Sequence, residues 1–235
     1  MSALAPPLAT SAPAAQPSLR ADRLYRFYRA GEEETLALQG VSLEVHAGEV
    51  VAVAGPSGSG KSTLLACLAG LDDPSGGTVW IAGHRMSHRP ERERAALRAS
   101  RVGVLLQAGN LLPHLSVSKN IELAQTAGGA GVNLPTVQLL LRSVGLADRA
   151  DAMPRTLSGG EQARAGLAVA LANAPDVVLA DEPTGELDGT TERRVLDLLR
   201  RTADGGTGVL VVTHSPAAAE LADRVVVLDD GRVAS

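Results

Sequence analysis

Residues 50–63 read VVAVAGPSGSGKST, and they carry the strongest single signal in the sequence. Its first four residues are apolar throughout, which predicts a strand buried on both faces. A glycine-rich loop follows, and Leu64, Leu65 and Leu68 then recur at helical spacing. The loop matches the pattern of a glycine, four further residues and then Gly-Lys-Ser that cradles phosphate groups. Because a strand precedes it and a helix follows it, we interpret the loop as a phosphate-binding site rather than a chance glycine-rich turn.

Each part of this loop suits the binding of a nucleoside triphosphate with Mg²⁺. Glycines let successive backbone N–H groups point inward at phosphate oxygens, and the helix that starts at Lys61 adds the positive end of its dipole. Lys61 is predicted to reach the β- and γ-phosphates, and the Ser62 hydroxyl to ligate Mg²⁺. The loop residues predicted to bind the nucleotide are Gly55, Pro56, Ser57, Gly58, Ser59, Gly60, Lys61, Ser62 and Thr63.

Polar residues also stand where three other apolar runs end. Residues 177–180 run into Asp181 and Glu182, at the edge where parallel sheets bind ligands. Asp181 is predicted to hold Mg²⁺ through its water shell, and Glu182 to orient and deprotonate the attacking water. His214 ends the run 209–213 and is predicted to contact the γ-phosphate or that water, although a structural histidine is the alternative. Gln107 follows the run 102–106, and its amide is predicted to ligate Mg²⁺ and sense the γ-phosphate.

A second glycine-containing turn, LSGGEQ at residues 157–162, opens a helix predicted over residues 161–173. Its N–H groups and hydroxyl form another anion site. One nucleotide does not need two cradles from one chain. A dimer explains both loops if each chain offers its second loop to the nucleotide that the other chain holds.

The rest of the chain predicts an α/β body with a helical insertion. Strands alternating with helices indicate a mostly parallel sheet covered on both faces. Strands are predicted within residues 24–54 and at 78–82, 177–180, 209–212 and 224–228, and helices at 191–201 and 216–222. Residues 91–99, 118–125 and 135–142 give helical patterns, with Asn133 as an N-cap. They define a helical subdomain at about residues 90–165.

Composition limits the cellular setting and the partners. The net charge of −4 argues against broad nucleic-acid binding, and the single cysteine, Cys67, fits a reducing cytosol and a buried apolar position. No stretch approaches the roughly 18 apolar residues that a spanning helix needs, so a membrane connection is expected through a partner. Residues 1–19 are rich in Ala, Pro and Ser and are predicted to be a flexible tail.

Taken in order, these motifs resemble those of the ATP-binding-cassette (ABC) family, over residues 20–235. The resemblance implies a P-loop NTPase (RecA-like) core with an antiparallel β-subdomain and an inserted helical subdomain. It also implies a head-to-tail dimer around two ATP molecules. Tyr28 falls where the family places an aromatic residue on adenine, with Tyr25 as the rival. The residues that it puts at the trans ATP contact and dimer interface are Ser158, Gly159, Gly160, Glu161 and Asp188.

Within the family, the chain is most similar to the lipoprotein-releasing and macrolide-efflux type of ATPase. That group implies separate integral membrane permease-type subunits, a place on the inner face of the cell membrane, and a docking segment at residues 108–120. The function implied is ATP hydrolysis that drives such a transporter, with a signalling or cell-envelope complex without transport as the alternative. Leu106 and Glu186 depart from the residues usual in the family, which bears on coupling to the partner rather than on the chemistry.

Four other kinds of protein are less consistent with the sequence. A chromosome-maintenance or DNA-repair ATPase would carry a long heptad-rich arm between Thr63 and Leu157, and this segment is too short for one. A translation factor of the same superfamily would carry two cassettes. A regulator that only binds ATP would lack Glu182 or His214, and a P-loop kinase would not need the second glycine turn.

Overall fold

The computed structural model describes residues 16–30 and 33–234. The described strands form two sheets, one antiparallel and one mainly parallel. The strands are β1 (Leu19–Ala30), β2 (Glu33–Val45), β3 (Val50–Ala54), β4 (Gly76–Ile81), β5 (His84–Arg85), β6 (Val102–Leu105), β7 (Val177–Asp181), β8 (Gly208–Val212), β9 (Arg224–Asp229) and β10 (Arg232–Val233). The helices are α1 (Lys61–Leu68), α2 (Glu91–Arg101), α3 (Val117–Ala127), α4 (Leu134–Ser143), α5 (Gly159–Ala170), α6 (Gly189–Asp204) and α7 (Pro216–Leu221). Short 3₁₀ turns follow α4 at Ala147–Arg149 and Pro154–Thr156.

The larger sheet carries the phosphate loop, and its central strands are covered on both faces. Its strand order is β10-β9-β3-β8-β7-β6, with β9, β3, β8, β7 and β6 parallel and β10 antiparallel. Val51 and Val53 face the apolar core that contains α1, whereas Val50 faces a second core with α6. This two-sided burial is the physical reason why the central strands read as unbroken apolar runs.

The smaller sheet, in the order β2-β1-β4-β5, is antiparallel and belongs to the same core as α1. Apolar and polar residues alternate along its strands because one face of the sheet is exposed to solvent. Leu19 and Leu24 are fully buried, while Tyr25 and Phe27 are exposed. The pairing of β1 with β2 shifts register three times, and Arg23 takes a left-handed φ of 46°. The fold class predicted from the sequence, with its antiparallel β-subdomain, is confirmed.

The middle of the chain has a core of its own. α3, α4 and α5 enclose a third apolar cluster that includes Val117, Ile121 and Leu141. β6 lies inside the interval predicted as the helical subdomain, residues 90–165, but it pairs with β7 in the larger sheet. Most of the predicted tail lies outside the described residues, and its last residue, Leu19, is buried in β1.

Helix starts follow local capping chemistry. The Asn133 side chain accepts a hydrogen bond from the Thr136 N–H, which confirms the predicted N-cap of α4. α5 begins at Gly159, two residues before the predicted start, because Ser158 and Glu161 form a capping box. Among the described helices, none combines the length and the apolar character needed to cross a membrane.

Candidate nucleotide-binding site

The phosphate loop connects β3 to α1 and can be built only with glycine at two positions. Gly55 has a φ of +150°, and a Cβ there would lie 2.0 Å from the carbonyl oxygen of Leu228. Gly60, with a φ of +99°, would place a Cβ 2.4 Å from the carbonyl oxygen of Ala37. The loop is therefore wedged between β9 and β2, and its backbone path is fixed by close contacts on both sides.

Lys61 opens α1 and folds back over the loop. Its Nζ donates to the carbonyl oxygens of Gly55 at 2.8 Å and Pro56 at 2.7 Å. The first turn of α1 contains no acidic residue, so the positive end of this helix faces the loop without a local anion. An ammonium group and a helix N-terminus together favour a bound phosphate.

Asp181 and Glu182 lie at the end of β7, beside the end of β8. Burial raises the pKa of Asp181, the Glu182 carboxylate raises it further, and Lys61 acts in the opposite direction. Glu182 adopts a left-handed φ of 43°, held by its N–H, which donates to the Val212 carbonyl oxygen at 2.9 Å. The His214 N–H donates to Glu182 Oε2 at 3.2 Å, and His214 Nε2 lies 3.5 Å from Oε1. The structure thus brings the predicted acidic pair and His214 together.

A cavity of about 730 Å³ joins these elements. From the predicted site, Lys61, Ser62, Asp181, Glu182 and His214 line it. The predicted residues that also line it are Tyr28, Ser57, Gly58, Gly60, Thr63 and Gln107. The sequence interpretation missed the contributions of β2 and of the β9–β10 turn. Neither segment carries a sequence motif that predicts phosphate or metal binding. The cavity-lining residues that they contribute are Thr35, Leu36, Ala37, Asp230 and Gly231.

The two candidate tyrosines take different positions. Tyr28 lines the cavity, and its hydroxyl donates to Asp72 Oδ2 at 2.9 Å. Tyr25 does not line it and instead covers Gly40, where an added Cβ would lie 2.9 Å from the tyrosine hydroxyl. The geometry therefore favours Tyr28 over Tyr25 as the residue that meets a nucleotide base.

Gln107 lies in a loop that Asn110 closes. The Asn110 side chain accepts from the Leu106 N–H at 2.7 Å and donates to the Leu106 carbonyl oxygen at 2.6 Å. Gln107 itself donates to Glu186 Oε1 at 3.4 Å. Asn110 was not among the predicted site residues, although an asparagine three residues after Gln107 is a signal for a closed loop.

The second glycine turn lies apart from the cavity of its own chain. Ser158 caps α5, while the Glu161 carboxylate accepts from the Ser158 N–H at 2.8 Å and pairs with Arg149 at 3.0 Å. The Arg149 hydrogen bond and the Ser158 N–H lower the pKa of Glu161 to about 2. Gly159 borders a neighbouring depression rather than the cavity. This turn therefore presents exposed Ser158 and Gly159 away from the phosphate loop of the same chain.

Asp188 lies near this turn, because its neighbour Leu187 would be 3.5 Å from a Cβ added at Gly159. Its carboxylate caps α6 by accepting from the N–H groups of Thr190 and Thr191, both at 3.1 Å. Gly160 packs so closely against α6 that an added Cβ would lie 2.1 Å from Thr191 Cγ2. Cys67 is buried in α1, and burial raises the pKa of its thiol to about 12, which agrees with the apolar position expected for it.

The fold and the site define a P-loop ATPase with an inserted helical subdomain. The family model described as "ABC transporter" matches residues 38–185, and the chain belongs to that family. It is 42% identical over 217 residues to the macrolide export ATP-binding/permease protein MacB 1 of Yersinia pestis, covering 92% of this chain and 33% of that protein. MacB of Salmonella typhimurium is 43% identical over 213 residues, covering 88% and 32%. The chain spans about a third of the length of these curated relatives.

Solved structures of isolated cassettes match over nearly their whole length. The dimeric post-hydrolysis state of the ATP-binding cassette MJ0796, bound to ADP and Pi, has a TM-score of 0.85 at 34% identity, covering 92% of this chain and 97% of that one. Another dimeric structure of MJ0796, a bacterial ABC transporter cassette, gives 0.84 at 35% identity with the same coverage. The chain is thus a nucleotide-binding cassette that hydrolyses ATP.

Proposed function

We propose that two copies of this chain bind head to tail, enclose two ATP molecules, and use their hydrolysis to drive separate integral membrane subunits of a transporter. The observation that carries the dimer is the separation of the two phosphate-directed loops. Ser158 and Gly159 do not line the cavity of their own chain, although they are exposed at the start of α5, and a helix N-terminus favours anions. A second copy supplies this turn to the γ-phosphate of the first, with Gly160, Glu161 and Asp188 at the same interface. The dimeric state of the similar cassette MJ0796 supports this assembly.

In this proposal, base and phosphates bind at opposite ends of the cavity. Tyr28 stacks on adenine with its cavity face. The phosphate loop and α1 receive the triphosphate, and Lys61 exchanges its two carbonyl partners for β- and γ-phosphate oxygens. In the described chain, the hydrogen bonds of Lys61 Nζ go to these two loop carbonyls. Those contacts hold the ammonium group over the loop.

Glu182 acts as the general base for the attacking water. Its strained backbone and the His214 N–H contact hold the carboxylate at the cavity wall, 20% exposed, where it can accept a proton. The His214 side chain is more exposed than that of Glu182, at 56%, and it contacts the γ-phosphate or the water. Lys61 and the Ser158 turn of the other copy stabilise the charge that develops on the γ-phosphate.

The cavity also fits Mg²⁺. Ser62, Gln107 and Asp181 line it together and offer hydroxyl, amide and carboxylate oxygens, the donor set that this cation prefers, with room for water ligands. The chain's own residues would hold the ion: Ser62 directly, Gln107 through its amide oxygen and Asp181 through water. When bound, Mg²⁺ neutralises charge on the phosphates.

The coupling to membrane subunits rests on the curated relatives, which are named as ATP-binding/permease proteins and extend well beyond this chain. We place the contact at residues 108–120, close to Gln107, so that changes at the γ-phosphate reach the partner. The chain then works at the inner face of the cell membrane while remaining outside the bilayer.

Glu182→Gln tests the assembly and the base together. The amide keeps the acceptor for the His214 N–H but cannot take a proton, so ATP binding stays and turnover falls by roughly 10²–10⁴-fold. ATP that is bound but not cleaved keeps both copies closed, and sedimentation velocity should show a dimer with Mg²⁺-ATP and a monomer with ADP. A monomer under both conditions would contradict the dimer, and unchanged hydrolysis would contradict the base.

A further inference from the structure

The Tyr28 ring is held from behind by two other side chains. Arg26 donates from Nε and Nη2 to the two Asp72 oxygens, each at 2.8 Å. The Tyr28 hydroxyl donates to the same carboxylate at 2.9 Å. The Arg26 guanidinium carbon lies 4.6 Å from the centre of the Tyr28 ring and stacks on it. We call Arg26, Tyr28 and Asp72 the base clip.

The base clip fixes both the plane and the in-plane angle of the ring. A two-point guanidinium–carboxylate pair sets direction as well as strength, and the side chains are only 24% exposed at Arg26 and 27% exposed at Asp72. Asp72 Oδ1 also accepts from the Asp73 N–H at 2.8 Å, so four donors hold this carboxylate. The ring is covered by Arg26 on one side, while Tyr28 borders the cavity.

The base clip also links the ring to the phosphate loop through a single helix. Asp72 follows α1 closely, and the N–H groups of Leu71 and Asp72 both donate to the Ala66 carbonyl oxygen of that helix, at 2.9 and 3.1 Å. The other end of α1 is Lys61, in the phosphate loop. Arg26 and Tyr28 belong to β1, in the antiparallel sheet. The clip therefore sets the spacing between the Tyr28 ring and the phosphate loop.

We propose that Arg26 and Asp72 are positioning residues for the nucleotide base, holding Tyr28 at the distance from the phosphate loop that lets one ligand reach both. This inference rests on the proposed function, in which Tyr28 stacks on adenine. It assigns the base clip to recognition of the base alone. Binding of the triphosphate group then does not depend on Arg26 or Asp72.

A ligand pair that differs only in the base separates this role from a structural one. Affinities of the full chain for Mg²⁺-ATP and for the Mg²⁺ complex of ribose 5′-triphosphate, which lacks a base, are measured by titration calorimetry. The variants are Arg26→Lys, which keeps the charge but loses the planar fork, Asp72→Asn, and Tyr28→Phe, which removes only the hydroxyl. The matched control is Arg101→Lys, in another half-buried ion pair (Arg101–Asp176, 2.9 Å) whose residues do not line the cavity.

Tyr28→Ala should weaken ATP binding about tenfold or more, as expected from the strength of base–aromatic stacking. Arg26→Lys and Asp72→Asn should lose only part of this affinity, about three- to tenfold. Tyr28→Phe should show a smaller loss, of about twofold, because the Arg26 stack remains. Ribose triphosphate should bind all variants like the unchanged chain, and Arg101→Lys should change neither ligand. In a Tyr28→Ala background, Arg26→Lys should have no further effect.

Equal weakening of both ligands would overturn the inference, since it indicates general damage to the site. The inference would fail while the proposed function stood if Tyr28→Ala weakened ATP binding but Arg26→Lys and Asp72→Asn bound ATP normally. If Tyr28→Ala itself left ATP affinity unchanged, the base platform of the proposed function would fail, and the inference with it. In the second and third outcomes, unaltered ribose triphosphate binding shows that the variant is folded.

Discussion

Replacing Gly55 by alanine should damage the protein far more than replacing Gly58 in the same loop. At Gly55, the new Cβ would lie 2.0 Å from the carbonyl oxygen of Leu228 and 2.9 Å from Ser59 Oγ, in a backbone conformation with φ +150°. Gly58 also has a left-handed φ, of +80°, but nothing lies within 4 Å of its Cβ position. Gly58→Ala therefore meets backbone strain only, about 1–2 kcal/mol. Gly55→Ala adds an overlap with β9 to its backbone strain, and the two together should destabilise the fold by about 3 kcal/mol or more.

Urea unfolding of both variants measures this difference. Trp80 is the one tryptophan of the chain and lies in β4, so its fluorescence reports on the unfolding of the antiparallel sheet. The midpoint should fall clearly further for Gly55→Ala than for Gly58→Ala, with similar slopes. Equal midpoints would show that the loop is not wedged against β9, and the account of its shape would be wrong.

Two further predictions concern the helical subdomain. Glu161→Gln should cost about 1 kcal/mol at neutral pH by weakening the capping box and the Arg149 pair. Because the folded pKa is lowered from 4.5 to about 2, this contribution is present above pH 4.5 and is lost as the pH falls towards 2. The melting temperatures of variant and parent should converge over that window, and a constant gap would contradict it. Asn120→Ala should cost about 2–3 kcal/mol, because the buried amide serves Leu112 N–H and the carbonyl oxygens of Leu112, Leu115 and Ser116. Amide exchange should quicken at Leu112 and leave the α4 cap at Asn133 unchanged; uniform acceleration would indicate global destabilisation instead.

Local patterns predicted the central part of the fold because its physical causes are local. Strands buried on both faces read as apolar runs, so β3, β7 and β8 were recognised within a residue or two of their ends. β9 was recognised equally well from its apolar run, although Val225 and Val227 are exposed. The predicted helix at residues 135–142 corresponds to α4, since Asn133 and a proline in the first turn mark its start. The first part of β1 was missed. One face of β1 is exposed to solvent and its pairing with β2 shifts register after Ala21, so the alternation of apolar and polar residues is interrupted at Arg23.

The site was predictable only where a motif carried it. Glycine spacing and strand ends gave Lys61, Asp181, Glu182 and His214, and all four line one cavity. The side chains that contact Tyr28 were not predictable, because Arg26 and Asp72 are 46 residues apart and neither belongs to a recognisable motif. Tyr28 was preferred to Tyr25 from its spacing to the phosphate loop, and in the fold Tyr28 lines the cavity whereas Tyr25 does not.

The dimer at the centre of the account can be tested by mixing two inactive variants. Lys61→Ala removes the phosphate-loop ammonium but keeps the Ser158 turn, whereas Ser158→Arg blocks that turn but keeps the phosphate loop. If each site is shared between two copies, a mixed pair contains one intact site. Equal mixing should then restore up to roughly a quarter of the unaltered ATPase rate, since half of the pairs are mixed and each has one site of two. A mixture no more active than the average of its components would show that each copy completes its own site, which contradicts the head-to-tail dimer.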